Sequence, residues 1–121
     1  MGSTAAPSAM KEEMDMEALY ENAERASLLL RTMSNQWRLL ILCHLAQGEL
    51  SVHQLEQVIG LSQSALSQHL AILRRERLVR TRREAQSIFY SLASPEAGAV
   101  MQTLYDLYCS DDAIGAAASA R

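Results

Sequence analysis

No apolar run in this sequence is long enough to cross a bilayer, and no hydrophobic segment of signal-peptide type follows its start. The expectation is a soluble, cytoplasmic chain with no membrane partner. Met1-Gly2 is not a myristoylation start, because Ala6 stands where Ser or Thr is required. Cysteine is scarce, with only Cys43 and Cys109. Such a pair reads as thiol chemistry or as two small hydrophobes rather than as a structural disulfide. Phosphate-binding loops, Ser-His-Asp sets and paired carboxylates in a pocket-forming context are all missing. A thiol enzyme using Cys43 with His44 as base is ruled out by helix geometry. Adjacent helical residues project about 100° apart and cannot share a proton. An enzyme is therefore not expected.

A basic excess is also lacking, since the net charge is −3. That total argues against a polyanionic partner until it is divided by segment. Residues 1–33 sum to −3, residues 34–61 to −1 and residues 91–121 to −3, whereas residues 62–90 sum to +4. All six basic groups in that one positive stretch are Arg, the side chain best matched to phosphate. The distribution points to nucleic acid; the total hides it. With 121 residues and 49% hydrophobic side chains the chain is one domain with a real core. A domain this small would gain from dimerising.

What is present centres on Leu50–Leu73. Ser51 and Gln54 stand at capping-box spacing, and Leu50 and Leu55 at the positions of a hydrophobic staple. Gly60 suits the left-handed end of that short helix. Ser62 then caps a second helix on which Leu66, Leu70 and Leu73 form a narrow apolar stripe. Its other face carries Gln63, Ser64, Ser67 and Gln68, all hydrogen-bonding and uncharged. A merely solvated face would favour Lys and Glu. Gln can pair bidentately with adenine, and Ser can bond base edges or phosphates. This is the pattern of a helix-turn-helix with its recognition helix.

The flanking segments complete a mainly α domain with a small β-hairpin, in the order α-α-α-α-β-β-α. Residues 1–13 read as a disordered tail, residues 14–112 as the DNA-binding and dimerisation domain, and residues 113–121 as a frayed end. Met16, Leu19, Tyr20, Ala23, Ser27 and Leu30 follow helical spacing within Met14–Thr32. Ser34 is the expected cap of a second helix that ends near Gln47, with Gly48 as its stop. That helix is apolar nearly all round, so it belongs in the middle of the domain. Leu78–Glu84 and Ser87–Leu92 alternate as a hairpin turning at Ala85-Gln86, with Arg80, Arg82 and Arg83 along it. Ser94-Pro95 opens a last helix whose apolar face is wide enough for both its own domain and a partner.

The strings SNQWRLLILCHL, LSQSALSQHLAILRRERLV and SIFYSL, in this order of elements, resemble the ArsR/SmtB family of winged-helix transcriptional repressors over roughly residues 14–110. The resemblance implies a homodimer built through the first and last helices. It also implies double-stranded operator DNA of imperfectly palindromic sequence, with half-sites about one helical turn apart. It assigns DNA contacts to Ser62, Gln63, Ser64, Ser67 and Gln68, with His69 packed at the helix base or touching a phosphate. Arg74 and, on the wing, Arg80, Arg82, Arg83 and Gln86 are further candidates. Ala85 stands where the family often has Gly.

Members of the family release DNA on binding an inducer. Arsenic-type sensing needs a thiol cluster at the start of the third helix, where ELSVHQL offers Ser51 and no Cys. Zinc- or nickel-type sensing needs His and carboxylates on the last helix, which has Asp106, Asp111 and Asp112 but no His. His44, His53 and His69 lie elsewhere, so no metal site and no cofactor are expected. The pattern ILCHL with a distant LYCSDD is similar to the persulfide-sensing BigR/SqrR branch. That likeness implies that Cys43 and Cys109 react with persulfide or polysulfide to form a disulfide or polysulfide bridge, and that DNA is then released. Attack needs a thiolate, so at least one Cys should have a lowered pKa and some access, and Arg38 and His44 are the candidate sources of local positive charge. The alternatives are a general oxidant sensor and a differently induced or metal-responsive repressor whose cysteines are only packed.

Overall fold

The computed structural model describes residues 14–110. The expected tails at 1–13 and 113–121, and Asp111 and Asp112, lie outside the described residues. Five helices and a three-stranded antiparallel sheet follow in the order α1 (Met16–Met33), α2 (Gln36–Ala46), β1 (Leu50–Ser51), α3 (Val52–Ile59), α4 (Gln63–Arg75), β2 (Val79–Glu84), β3 (Ser87–Leu92) and α5 (Pro95–Tyr108). This is the winged helix-turn-helix. No helix among the described residues is long and apolar enough to cross a membrane.

The described chain divides into two compact units between Arg31 and Thr32. The first is α1 up to Arg31. Asp15 caps it, its carboxylate accepting from the Glu17 and Ala18 amides at 3.0 and 3.2 Å. Its apolar side chains remain uncovered in the single chain, including Met16, Leu19, Tyr20 and Leu30.

The second unit holds the core. Helix α2 contacts α3, α4 and β3, the central position its all-round apolarity requires. The largest fully buried side chains are Ile41, Leu42, Leu55, Leu66, Leu70 and Leu73. Each buried Leu or Ile contributes about 1.5–3 kcal/mol against the exposed state. The α4 stripe thus faces the core as its i, i+4, i+7 spacing predicts. Leu40, Cys43 and Ala46 nevertheless stay on the outer side of α2, so that helix is less enclosed than its composition suggests.

Two local expectations need correction. Asn35, not Ser34, caps α2, with its Oδ1 accepting from the Trp37 and Arg38 amides at 2.9 and 3.0 Å. The two residues are about equally good caps, so local chemistry cannot separate them. The sheet is also larger than a hairpin. Leu50–Ser51 forms a short strand on β3, Leu50 opposite Tyr90 and Ser51 opposite Phe89, giving the order β1-β3-β2. Other ends fall where the residues place them. Ser51 and Gln54 form the reciprocal capping box at 3.1 and 2.8 Å, and Gly60 ends α3 with φ +84°.

At the wing tip Ala85 adopts φ +57°. A left-handed conformation costs an L-residue about 1–2 kcal/mol, while Gly there forfeits part of that gain through unfolded-chain entropy. Ala85→Gly is therefore expected to stabilise the domain by about 0.5–1 kcal/mol, raising the melting temperature by a few degrees. An unchanged or lower midpoint in a thermal melt would show that the turn carries no strain.

Candidate DNA interface and thiol pair

Helix α4 is fixed at its start by Ser62, whose hydroxyl accepts from the Ala65 amide at 3.2 Å and lies 3.5 Å from Ser64 Oγ. Ser62 is thus partly committed to capping. Gln63, Ser64, Ser67 and Gln68 are exposed. Among the described residues the side chains of Gln63, Ser67 and Gln68 have no hydrogen bond to protein. Their donors and acceptors are available to a ligand, and the leucines behind them hold the helix rigidly.

His69 sits differently. It is half-buried, and its Nδ1 is 3.4 Å from Arg38 Nη1 on α2. Arg has only donors, so Nδ1 accepts and the imidazole proton is placed on Nε2. Burial first, and the Arg38 charge second, push the His69 pKa down, favouring the neutral ring. Of the two placements expected for His69, this is the helix base. Arg38 is oriented in turn by its Nε, which donates to the Thr32 carbonyl at 2.6 Å.

The fold brings wing and recognition helix together. Gln63 on α4 and Gln86 at the wing tip line one groove of about 440 Å³, together with His53 of α3. Ser67 and Arg74 line a second cleft of about 450 Å³ between α4 and the sheet. Arg75 joins them there, a residue the sequence reading passed over although it stands beside Arg74 in the same basic run. Among the described residues Arg74, Arg80 and Arg83 make no ion pair. Arg82 does. Its guanidinium meets both Glu49 oxygens, at 2.8 and 2.7 Å, and Glu84 Oε1 at 3.1 Å. It also lies over the Phe89 ring, 4.5 Å from the centroid.

The thiols occupy α2 and the end of α5. Both are free and exposed. Cys109 is the C-terminal cap of α5, its amide donating to the Tyr105 carbonyl at 2.7 Å. Partial burial, and second the charge of Cys109, push the Cys43 thiol pKa up. The fold therefore brings together two cysteines that lie 66 residues apart in sequence, closely enough for one to feel the other's ionisation. Of the two charges expected near the thiols, the Arg38 guanidinium is turned towards Thr32 and His69. Among the described residues no group of three or more His, Cys, Asp or Glu is arranged to hold a metal ion.

Comparison with known proteins agrees with this architecture. Residues 35–81 match the family described as bacterial regulatory protein, arsR family. The chain is 51% identical to the transcriptional activator HlyU of Vibrio cholerae serotype O1 over 79% of its own length and 89% of that protein. The solved structure of reduced HlyU from Vibrio cholerae superposes with a TM-score of 0.73, covering 78% of this chain and 99% of that one at 51% identity. The transcriptional repressor BigR from Xylella fastidiosa superposes with a TM-score of 0.76 at 40% identity, covering 81% of this chain and 100% of that one. These relatives are transcriptional regulators with a helix-turn-helix and not enzymes. This chain belongs to the arsR family of bacterial regulators, DNA-binding proteins of the winged helix-turn-helix fold.

Proposed function

We propose that this regulator is a thiol-based switch, in which reactive sulfur bridges Cys43 and Cys109 and thereby releases operator DNA. The observation that carries the reading is the pairing of two free, exposed thiols from distant helices within electrostatic reach of each other. A thiolate of Cys109 attacks the sulfane sulfur of a persulfide RSSH. This forms Cys109–S–SH and expels RS⁻. The Cys43 thiolate then attacks the inner sulfur, forming the disulfide and expelling hydrosulfide. Where both cysteines are persulfidated, their condensation leaves a trisulfide and one H₂S. Cys43 is assigned the second step because its raised pKa limits its thiolate at neutral pH. That a solved relative is described as reduced HlyU is consistent with thiol chemistry in this family. Repression is the reading taken from BigR; HlyU, as an activator, shows that the sign of regulation varies among relatives.

On the output side, Ser62, Gln63, Ser64, Ser67 and Gln68 would face base edges and phosphates in the major groove. Arg74, Arg80, Arg83 and Gln86 would line the backbone. The protein would act as a homodimer, because large apolar side chains remain uncovered on α1 and, separately, at Tyr105, Leu107 and Tyr108 of α5. Replacing Gln63 and Ser67 together by Ala is expected to cost about 1–3 kcal/mol of preference for a duplex selected from a random pool. The salt-sensitive, non-specific component should survive. An unchanged footprint would remove α4 from the base contacts.

The intact mass of the protein tests the switch. After polysulfide treatment the expected product is an intramolecular bridge with zero or more added sulfur atoms. Hydrogen peroxide is expected to leave the thiols reduced under the same conditions. Equal bridging by both reagents would mark a general oxidant sensor instead.

A further inference from the structure

The register of the sheet puts Arg82 in an unusual position. Arg82 lies opposite Phe89 on one side of β3, and Ser51 lies opposite Phe89 on the other. Directly opposed residues share a face, and strand residues two apart share it as well. Glu49, two residues before Ser51, therefore falls on the face that carries Arg82. The Arg82 side chain crosses β3 above the Phe89 ring and reaches Glu49 fork to fork, through Nε and Nη2, while Nη1 donates to Glu84. Bidentate geometry, a third carboxylate contact and a stacked ring separate this cluster from an ordinary surface pair. The Glu49 carboxyl is held below its usual range, first by the hydrogen bond from Arg82.

What the cluster joins gives it a purpose. Strand β1 is only two residues long, and Ser51 within it is also the N-cap of α3. Within the sheet, two ladder positions join β1 to β3 of the wing. The cluster adds a bond between the outer strand β2 and the residue that leads into β1.

We infer that Arg82 is a positioning residue, which locks the wing to the start of the helix-turn-helix and is not one of its phosphate contacts. Phosphate binding by the wing then falls to Arg80 and Arg83. The inference rests on the DNA-contact reading above, but its first test does not.

Without DNA, amide hydrogen exchange in full-length Arg82→Gln and Glu49→Gln is compared with the parent. Both variants are expected to exchange faster, by about threefold or more, along β1, β2 and β3, with α4 unchanged. Parent-like exchange in the wing would overturn the clamp. With DNA, the affinity for a mixed-sequence duplex of about 30 base pairs is measured at about 0.1 M salt. Removing the Glu49 charge should by electrostatics alone favour a polyanion. Glu49→Gln is nevertheless expected to bind about three- to tenfold more weakly, and combining it with Arg82→Gln to add little. Tighter binding by Glu49→Gln, or losses that multiply in the double variant, would show that Arg82 is a phosphate ligand that Glu49 restrains. If the parent itself fails to bind the duplex, the DNA-contact reading fails, and the exchange experiment still decides the clamp.

Discussion

Cys109→Ser is expected to keep DNA affinity within about twofold of the parent and to lose release by polysulfide entirely, a change of about 5- to 150-fold in the induced response. The thiol lies at the exposed C-terminal end of α5 and Ser is close to it in size, so the substitution should leave the fold and its DNA-binding face alone. Cys43→Ser should give the same loss of release with a different product. Cys109 would still acquire one sulfur, but no second thiol could displace it. Binding measured by fluorescence anisotropy, paired with intact mass, checks both claims. Release that persists in both variants would rule out the thiol switch. The pH dependence follows from the raised Cys43 pKa. Thiolate supply at Cys43 grows as pH rises through that elevated value, so bridging should accelerate on the alkaline side. In Cys109→Ser the like charge is gone, and the alkylation midpoint of Cys43 should fall while the desolvation part remains.

Leu66→Ala is expected to have the largest effect on stability. Leu66 is completely inaccessible and lies on the inner face of α4, directly behind the exposed glutamines and serines. Truncation of a fully buried Leu costs about 2–5 kcal/mol, made up of lost transfer energy and a residual cavity. Small domains hold only about 5–15 kcal/mol in total. For a domain of this size the melting temperature should drop by roughly 10–30 °C, as followed by circular dichroism at one fixed protein concentration. DNA binding would fail with the fold. Ser67→Ala, on the outer face of the same helix, should leave the melt almost unmoved, so the pair separates support from contact. A loss below about 1 kcal/mol in Leu66→Ala would contradict the assignment of the stripe to the core.

The helix-turn-helix was legible because its determinants are local. Ser51 with Gln54, Gly60 and Ser62 act within a few residues of themselves, and the Leu66-Leu70-Leu73 stripe needs only helical spacing. The wing strands and the Ser94-Pro95 start of α5 were readable for the same reason. Strand β1 was not, because two residues carry no periodicity and become a strand only through Tyr90 and Phe89. The choice of Asn35 over Ser34 was equally invisible, since Ser and Asn are about equally good caps.

In the candidate site, the sequence separated the polar face of α4 from its apolar stripe and concentrated the positive charge in one segment. Tertiary structure decided which of those charges remain available. Arg82 and Glu49 are 33 residues apart, and Arg38 and His69 are 31 apart. A pairing between such distant residues depends on sheet register and helix packing, which no local pattern encodes. The same holds for the thiols. The residues alone determined that only Cys43 and Cys109 could do thiol chemistry. The fold decided that the two share an electrostatic environment and that the Cys43 pKa moves up, because burial and a neighbouring thiolate depend on through-space distance and solvent exclusion, not on position along the chain.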